Sequence, residues 1–225
     1  MKSALPYWLA LAVVLAGLYG GFKMYQVQQA RPRGGVTAVN LPPLKDFELR
    51  DQDGRPFRSA DMKGRVWVAS FFYSTCPNSC DRLNANIKYL TTLDELKDVT
   101  WASITVDPET DTQPVLAAYA KELNADLERW HFCRADDFKY IRRLATEVLY
   151  IGGVAYKGHN DYVVVVDRQG KIAGMFNGYS AESLDQGVKL LKKCLAEEPR
   201  GDGAENSDPA PAADQAPAAA PREAA

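Results

Sequence analysis

The feature that most constrains the fold is an almost continuous apolar run, Arg65-Val-Trp-Val-Ala-Ser-Phe-Phe-Tyr73. A strand with water on one face alternates apolar and polar residues, so a run that lacks this alternation predicts a strand buried on both faces. Strand and helix patterns then alternate along the chain. The sequence therefore predicts an α/β domain in which helices cover a sheet.

The other elements follow from hydrophobic spacing and from turn and capping residues. A small hairpin is predicted ahead of the apolar run, with Phe47-Glu-Leu and Arg55-Pro-Phe joined by Asp51-Gln-Asp-Gly54. After the run we predict a helix from Cys80 to about Leu96, a strand Thr100 to Val106, a helix capped by Asp111 or Thr112, a strand Trp130 to Cys133, a helix Phe138 to Leu149, a hairpin of Tyr162 to Val166 with Lys171 to Phe176, and a helix Ala181 to Ala196 capped by Ser180.

The segment Leu5 to Phe22 has 18 positions without a charge. A helix of about 17 residues or more can cross a bilayer core, and aromatic residues near both ends of the run suit the interfaces. A cleaved signal peptide would have a shorter apolar region followed by a small-x-small site, which Leu18 to Ala30 does not offer. We therefore expect residues 1–23 to form an uncleaved transmembrane anchor. Positive charges alone weakly favour a cytoplasmic C-terminal side.

The rest of the chain divides by composition. Residues 24–40 form a polar linker, residues 41–197 are long enough for one domain with its own core, and residues 198–225 are Ala/Pro-rich and predicted to be disordered. The formal net charge of −2 argues against a dedicated nucleic-acid binder, which needs a basic face.

The candidate chemistry lies in Phe72-Tyr-Ser-Thr-Cys76-Pro-Asn-Ser-Cys80, directly after the buried strand. If Pro77 begins the next helix, Cys76 and Cys80 fall on nearly the same face, and the helix N-terminus favours their thiolates. A structural disulfide closing so short a loop gains little stability. A redox dithiol or a soft-metal site is the favoured interpretation, ahead of two inert core cysteines.

The other two cysteines and the two histidines lie outside this motif. Cys133 and Cys194 lie in apolar segments and are predicted to be core residues, and the absence of a second cysteine pair excludes a four-thiolate zinc site. His131 is interpreted as a hydrogen-bonded or surface histidine. His159, in the loop before Tyr162, fits either a ligand or a surface loop residue.

The sequence resembles the SCO/SenC family in three segments. These are the cysteine motif from Phe72 to Cys80, the segment Ser103-Ile-Thr-Val-Asp-Pro-Glu-Thr-Asp-Thr112, and His159, which lies eight residues before Asp167 of the turn Asp-Arg-Gln-Gly. The resemblance covers about Leu41 to Leu195 and extends to a single N-terminal anchor. It implies a thioredoxin-like fold with a central mixed sheet.

The resemblance also implies a function. Family members bind copper through two cysteines and one histidine, which correspond to Cys76, Cys80 and His159. The implied role is delivery of copper to, or thiol maintenance of, the binuclear copper site of cytochrome c oxidase, with the copper-receiving subunit as partner and other copper chaperones or thiol reductants as further partners. Two thiolates and an imidazole also suit copper on chemical grounds.

Family domains face the periplasm or the intermembrane space, against the weak charge count. The lack of an Arg/Ser-rich presequence favours a bacterial inner membrane, with the domain in the periplasm. Two positions depart from the family pattern. Asp81 stands where family members usually have Pro, and Gly158 stands where they usually have Asp. The second change removes an acidic neighbour that could orient the imidazole.

The main alternative function is a thiol–disulfide oxidoreductase or redox sensor, which needs Cys76 and Cys80 but not His159. The CxxxC spacing is one residue longer than the thioredoxin CxxC, which counts modestly against it. A peroxide-consuming enzyme and a plain interaction module are weaker alternatives. An enzyme that turns over a substrate is therefore not the leading expectation.

Overall fold

The computed structural model describes residues 17, 19, 20, 41, 43–77, 79–158 and 160–197, and leaves out the side chains of residues 79 and 80. Across those ranges, no helix has both the length and the apolar character needed to cross a membrane. The predicted linker and tail lie wholly outside the described residues, and the predicted anchor lies outside them except for residues 17, 19 and 20. All three remain predictions.

The described domain contains the elements that the sequence predicts, in the same order. They are β1 Glu48–Arg50, β2 Pro56–Arg58, β3 Trp67–Phe72, α1 Ser79–Thr91, β4 Thr100–Thr105, α2 Gln113–Glu122, β5 Trp130–Cys133, α3 Phe138–Arg143, β6 Tyr162–Val166, β7 Ile172–Asn177 and α4 Ala181–Ala196. A π-helical segment, Leu144–Val148, continues α3.

The main sheet has the strand order β5-β4-β3-β6-β7. Strand β3 is parallel to β4, and β4 is parallel to β5, whereas β6 runs antiparallel to both β3 and β7. The predicted α/β class with a central mixed sheet flanked by helices is confirmed. Because β3 lies in the middle, the chain that leaves it emerges at the centre of one sheet edge.

Every residue of β3 is buried, which explains its lack of alternation. Its side chains point alternately into two cores. Val68 and Phe72 pack with residues of α1, α2 and α4 on one face. Trp67 and Phe71 pack with α3 and the β1–β2 hairpin on the other face. Both faces are therefore covered, as the apolar run predicts.

The β1–β2 hairpin also covers the β5 edge of the sheet. Arg50 and Arg134 exchange two backbone hydrogen bonds, at 2.9 and 2.8 Å. The side-chain oxygen of Gln52 accepts a hydrogen bond from the Phe132 N–H at 2.9 Å. These contacts satisfy backbone groups of an edge strand and fix Arg134 beside the loop after β4.

Two predicted helix details are wrong. Helix α1 ends at Thr91, not near Leu96, because the backbone is extended at Leu93 and a separate 3-10 turn follows at Asp94–Leu96. Leu96 is nevertheless buried in the core, so the apolar spacing continues beyond the helix itself. Helix α2 begins at Gln113 after Thr112, whose side chain makes no capping hydrogen bond.

The predicted cap at Ser180 is confirmed, because the Ser180 side chain accepts a hydrogen bond from the Ser183 N–H.

Candidate metal centre

Cys76 lies just beyond the end of β3, in a tight turn. The Cys76 N–H donates to the Tyr73 carbonyl at 3.3 Å, which closes the turn. The side chain is 6% exposed and belongs to the core cluster that also contains Phe72 and Leu83. Thr75 and Pro77, on either side of it, are exposed. The thiol is therefore a soft ligand set in apolar surroundings near the surface.

Helix α1 begins at Ser79, so Pro77 precedes the helix and does not start it. The condition under which Cys76 and Cys80 would share a helical face is therefore not met. Cys80 is the second residue of α1, and its side chain lies outside the described part of the structure. The distance between the two thiols therefore depends on the turn at Cys76 and on the position of the first residues of α1.

His159 also lies outside the described residues, but both of its neighbours are described. The Gly158 N–H donates to the Ala155 carbonyl at 2.9 Å. Asn160 is 8% exposed, and its side chain donates to the Gly152 carbonyl at 3.2 Å and accepts from the Tyr162 N–H at 2.9 Å. These bonds fix the chain on both sides of position 159.

The sheet register brings this segment towards the cysteine turn. Because β6 is antiparallel to β3, with Ala69 opposite Val164, the start of β6 lies beside the end of β3. The chain just before β6 carries Asn160, and the chain just after β3 carries Cys76. Two distant parts of the sequence thus meet at one edge of the sheet, where sites of α/β proteins commonly form.

The loop after β4 contacts both segments. The buried carboxylate of Asp111 accepts hydrogen bonds from the N–H and the hydroxyl of Ser74, inside the cysteine turn. The Tyr156 hydroxyl donates to the Glu109 carboxylate at 2.9 Å, and the Lys157 Nζ lies 3.4 Å from Oδ2 of Asp107. The segment from Asp107 to Asp111 therefore contacts both the cysteine turn and the chain before β6.

Lys157 has a positive φ of 51°, which is uncommon for a residue with a side chain. It lies in the turn from Ala155 to Gly158 that immediately precedes His159. Conformations of this kind persist where surrounding contacts enforce them, and they concentrate at functional sites. The ammonium group of Lys157 lies 3.4 Å from the carboxylate of Asp107, which is fully buried.

Asp107 is held in its charged form. Burial acts to raise the pKa of its carboxyl group, but Thr110, Tyr156 and Lys157 together outweigh burial and bring the pKa below its ordinary value. Its Oδ2 nevertheless accepts no hydrogen bond of good geometry. The nearby Lys157 ammonium therefore acts mainly as a compensating charge.

Of the residues predicted to lie outside the site, Cys133 and Cys194 are buried and His131 is half-buried. Burial raises the pKa of the Cys133 thiol well above its ordinary value, and burial together with Glu197 and Asp167 raises the pKa of Cys194 to about 11. Both are core residues, as predicted. The Nδ1 of His131 is buried without a hydrogen bond, 3.8 Å from the Asp51 carboxylate.

Within the described ranges, no three Cys, His, Asp or Glu side chains form a group that could hold a metal ion. Of the three predicted ligands, only the Cys76 side chain lies inside those ranges, so the ligand set remains a prediction. Sequence reasoning missed the roles of Ser74, Asp107, Asp111 and Lys157. The acidic segment was visible as part of a family motif, but its contacts cross from one loop to another, and no local pattern encodes them.

The architecture defines a thioredoxin-like α/β domain with a cysteine-bearing turn at the end of its central strand. A family model described as SCO1/SenC matches residues 42–195. The match covers more than half of the chain, and the protein belongs to the SCO1/SenC family.

Three individual relatives illustrate the likeness. A SCO2-like protein of Rickettsia felis is 37% identical over 125 residues, which cover 52% of this chain and 61% of that relative's length. The solved structure of BsSco, described as a member of the Sco family of cytochrome c oxidase assembly proteins, has a TM-score of 0.62 at 24% identity, covering 70% of this chain and 95% of that one. Bradyrhizobium japonicum ScoI, solved with copper bound, has a TM-score of 0.53 at 21% identity, covering 68% and 100%. The two structures establish the shared fold.

Proposed function

We propose that this protein binds copper through Cys76, Cys80 and His159 and serves the assembly or thiol maintenance of the binuclear copper site of cytochrome c oxidase. The observation that carries the proposal is the meeting of two segments at one sheet edge: the turn that ends in Cys76 and the chain that leads from Gly158 to Asn160 into β6. Family membership supports it, as does the copper in the ScoI relative and the assembly role ascribed to BsSco.

The donor set fits copper. Thiolate sulfur holds Cu(I), and an imidazole nitrogen helps to retain Cu(II). The apolar surroundings of Cys76 limit access of water to a bound ion. Three ligands leave a position open, so copper can pass to an acceptor by ligand exchange. Because metal loading requires reduced thiols, a disulfide between Cys76 and Cys80 and a bound copper exclude each other.

The proposal includes a bacterial inner-membrane anchor at residues 1–23 with the domain in the periplasm. The uncharged run from Leu5 to Phe22 supports the anchor, and the family resemblance supports the orientation. Such an anchor would hold the domain close to a membrane-embedded oxidase, where a copper-receiving subunit is the expected partner.

The test is copper stoichiometry on the reduced full chain in detergent, with a competing Cu(I) chelator present. We expect about one copper per chain, with weaker retention after His159→Ala. The matched control is His131→Gln, because His131 is the second of the two histidines in the sequence and lies beside Asp51, outside the site. Equal retention by His159→Ala and the unchanged chain would refute the assignment of His159. Absence of retained copper, with Cys76 and Cys80 still cycling between dithiol and disulfide, would refute the copper function and favour an oxidoreductase.

A further inference from the structure

Asp111 is a fully buried carboxylate that binds a turn belonging to another part of the chain. The Ser74 N–H lies 3.1 Å from its Oδ2 and 3.3 Å from its Oδ1. The hydroxyl groups of Ser74 and Thr105 also donate to it. Two hydroxyl groups and one backbone N–H therefore donate to this single carboxylate.

The bonded turn is the one that presents Cys76. Ser74 is the second residue of the turn that the Cys76 N–H closes onto the Tyr73 carbonyl. Directly before the turn, the Val106 N–H donates to the Phe72 carbonyl at 2.8 Å and extends the pairing of β3 with β4. Asp111 therefore binds Ser74 shortly after the sheet pairing ends, two positions before the cysteine.

Asp111 is itself held in place from two sides. Its N–H donates to the Asp107 carbonyl at 2.8 Å, and its own carbonyl accepts from Nε of Arg134 at 3.2 Å. Nη2 of Arg134 also donates to the Pro108 carbonyl at 3.0 Å. The backbone of Arg134 is in turn paired with Arg50 of the hairpin. The carboxylate is thus fixed to the rigid sheet and is not part of a mobile surface loop.

We propose that Asp111 is a positioning residue for the Cys76 thiol. Its carboxylate holds the Tyr73–Cys76 turn in the conformation that keeps Cys76 buried and directed for its chemistry. The part that concerns copper rests on the function proposed above, whereas the part that concerns the turn does not. The competing explanation is that Asp111 contributes only to global stability.

Thr105 provides the control that separates these explanations. Its hydroxyl donates to the same carboxylate and accepts from the Asp107 N–H at 3.0 Å, and neither bond reaches the described part of the cysteine turn. Thr105→Val thus removes two buried hydrogen bonds and leaves both Ser74 contacts in place. Asp111→Asn removes the charge and presents an amide that cannot accept from every donor that now faces it.

The experiment measures the alkylation rate of Cys76 by iodoacetamide in the full chain carrying Cys80→Ser, with the site of labelling identified by mass spectrometry. We expect Asp111→Asn to raise the rate about tenfold, because the turn opens locally more often once it has lost one charge-assisted hydrogen bond. Thr105→Val should change the rate less than about twofold, even if it lowers the melting temperature as much as Asp111→Asn does.

Removing a negative charge also favours the thiolate, so the rate is measured as a function of pH. A positioning role raises the plateau reached at high pH, where the thiol is fully ionised, whereas a charge effect moves only the midpoint. Ser74→Ala keeps the charge at Asp111 and removes one donor from the turn, so it should raise the plateau in the same direction by a smaller factor. It also serves if Asp111→Asn fails to fold.

The proposal is overturned if alkylation rates of the three variants follow their melting temperatures alone, or if only the midpoint moves. With Cys80 intact, Asp111→Asn should also weaken Cu(I) retention against the chelator, and Thr105→Val should not. If the unchanged chain retains no copper, the copper function fails while the alkylation result still decides the role of Asp111.

Discussion

Replacement of Lys157 by Met should destabilise the protein more than its partly exposed position suggests. The Lys157 side chain is 48% exposed, but its partner, the Asp107 side chain, is completely buried, and the two groups lie 3.4 Å apart. Removal of the ammonium leaves a buried carboxylate whose Oδ2 accepts no hydrogen bond. An unpaired buried charge costs more than the loss of a surface ion pair.

The size of the effect follows from distance and surroundings. Two unit charges 3.4 Å apart attract by about 1 kcal/mol in water and by about 5 kcal/mol at an effective dielectric constant of 20. Because the ammonium is half exposed, solvent screens the pair, and the lower end of this range applies. We expect Lys157→Met to lower the free energy of unfolding by about 1 to 2 kcal/mol at neutral pH and low salt.

The assay is urea unfolding of the full chain, with two comparison variants. Lys189→Met removes a pair with Asp185 that is shorter, at 2.6 Å, but exposed on both sides, at 73% and 64%. It should cost about 0.5 kcal/mol or less. Lys157→Arg keeps the charge and should recover most of the lost stability.

A loss for Lys189→Met equal to or larger than the loss for Lys157→Met would refute the reasoning, because burial of the carboxylate would then not set the energy. A loss that Lys157→Arg does not recover would point to packing of the lysine stem instead of its charge. The acid range offers a further check. Since the pKa of Asp107 is lower in the folded state, its stabilising contribution is lost as the pH falls through that value, and Lys157→Met should show less of this loss.

Three further predictions concern the core and its edges. Burial, opposed by Asp51, lowers the pKa of His131 below its unfolded value of about 6.5. The free energy of unfolding should therefore decrease as the pH is lowered below about 6.5, because the unfolded chain then binds a proton more readily. Urea unfolding at pH 7 and at pH 5 should show a smaller decrease for His131→Gln than for the unchanged chain. A Cβ at Gly187 of α4 would lie 2.8 Å from the Phe176 ring, which is fully buried. Gly187→Ala should therefore lower the melting temperature, because overpacking at about 1–3 kcal/mol exceeds the helix-propensity gain of about 1 kcal/mol; an increase would show that the ring moves aside. The Cys194 thiol, with a pKa of about 11, should react with iodoacetamide at pH 8 about a hundredfold more slowly in the folded than in the urea-unfolded chain, as measured by mass spectrometry, and comparable rates would contradict its burial.

The secondary structure could be read largely from local patterns. The run from Arg65 to Tyr73 fixes a strand buried on both faces, and hydrophobic spacing identifies the helices because one face of each must meet the sheet. The predicted end of α1 is wrong because the apolar spacing continues beyond the last residue with a helical backbone. Leu96 is a core residue, yet it belongs to a separate turn and not to α1.

Only part of the candidate site could be predicted from the sequence. Cys76, Cys80 and His159 stand out by residue type and by their places in motifs, because few side chains offer thiolate or imidazole ligands. From the sequence, Asp111 is one of two candidate helix caps, beside Thr112, since an acidic residue before a helix commonly acts as one. Its side chain turns to Ser74 instead, 37 residues away in the sequence.

The sequence by itself determined the α/β class, the order of the elements and the residues able to bind a soft metal, because these depend on local periodicity and on side-chain chemistry. Only the tertiary structure decided which segments meet. The antiparallel register of β3 and β6 brings the chain around Asn160 to the end of β3, and the loop after β4 contacts both segments through Asp107 and Asp111. Such contacts arise from strand pairing and burial between distant residues, which no stretch of the chain encodes alone.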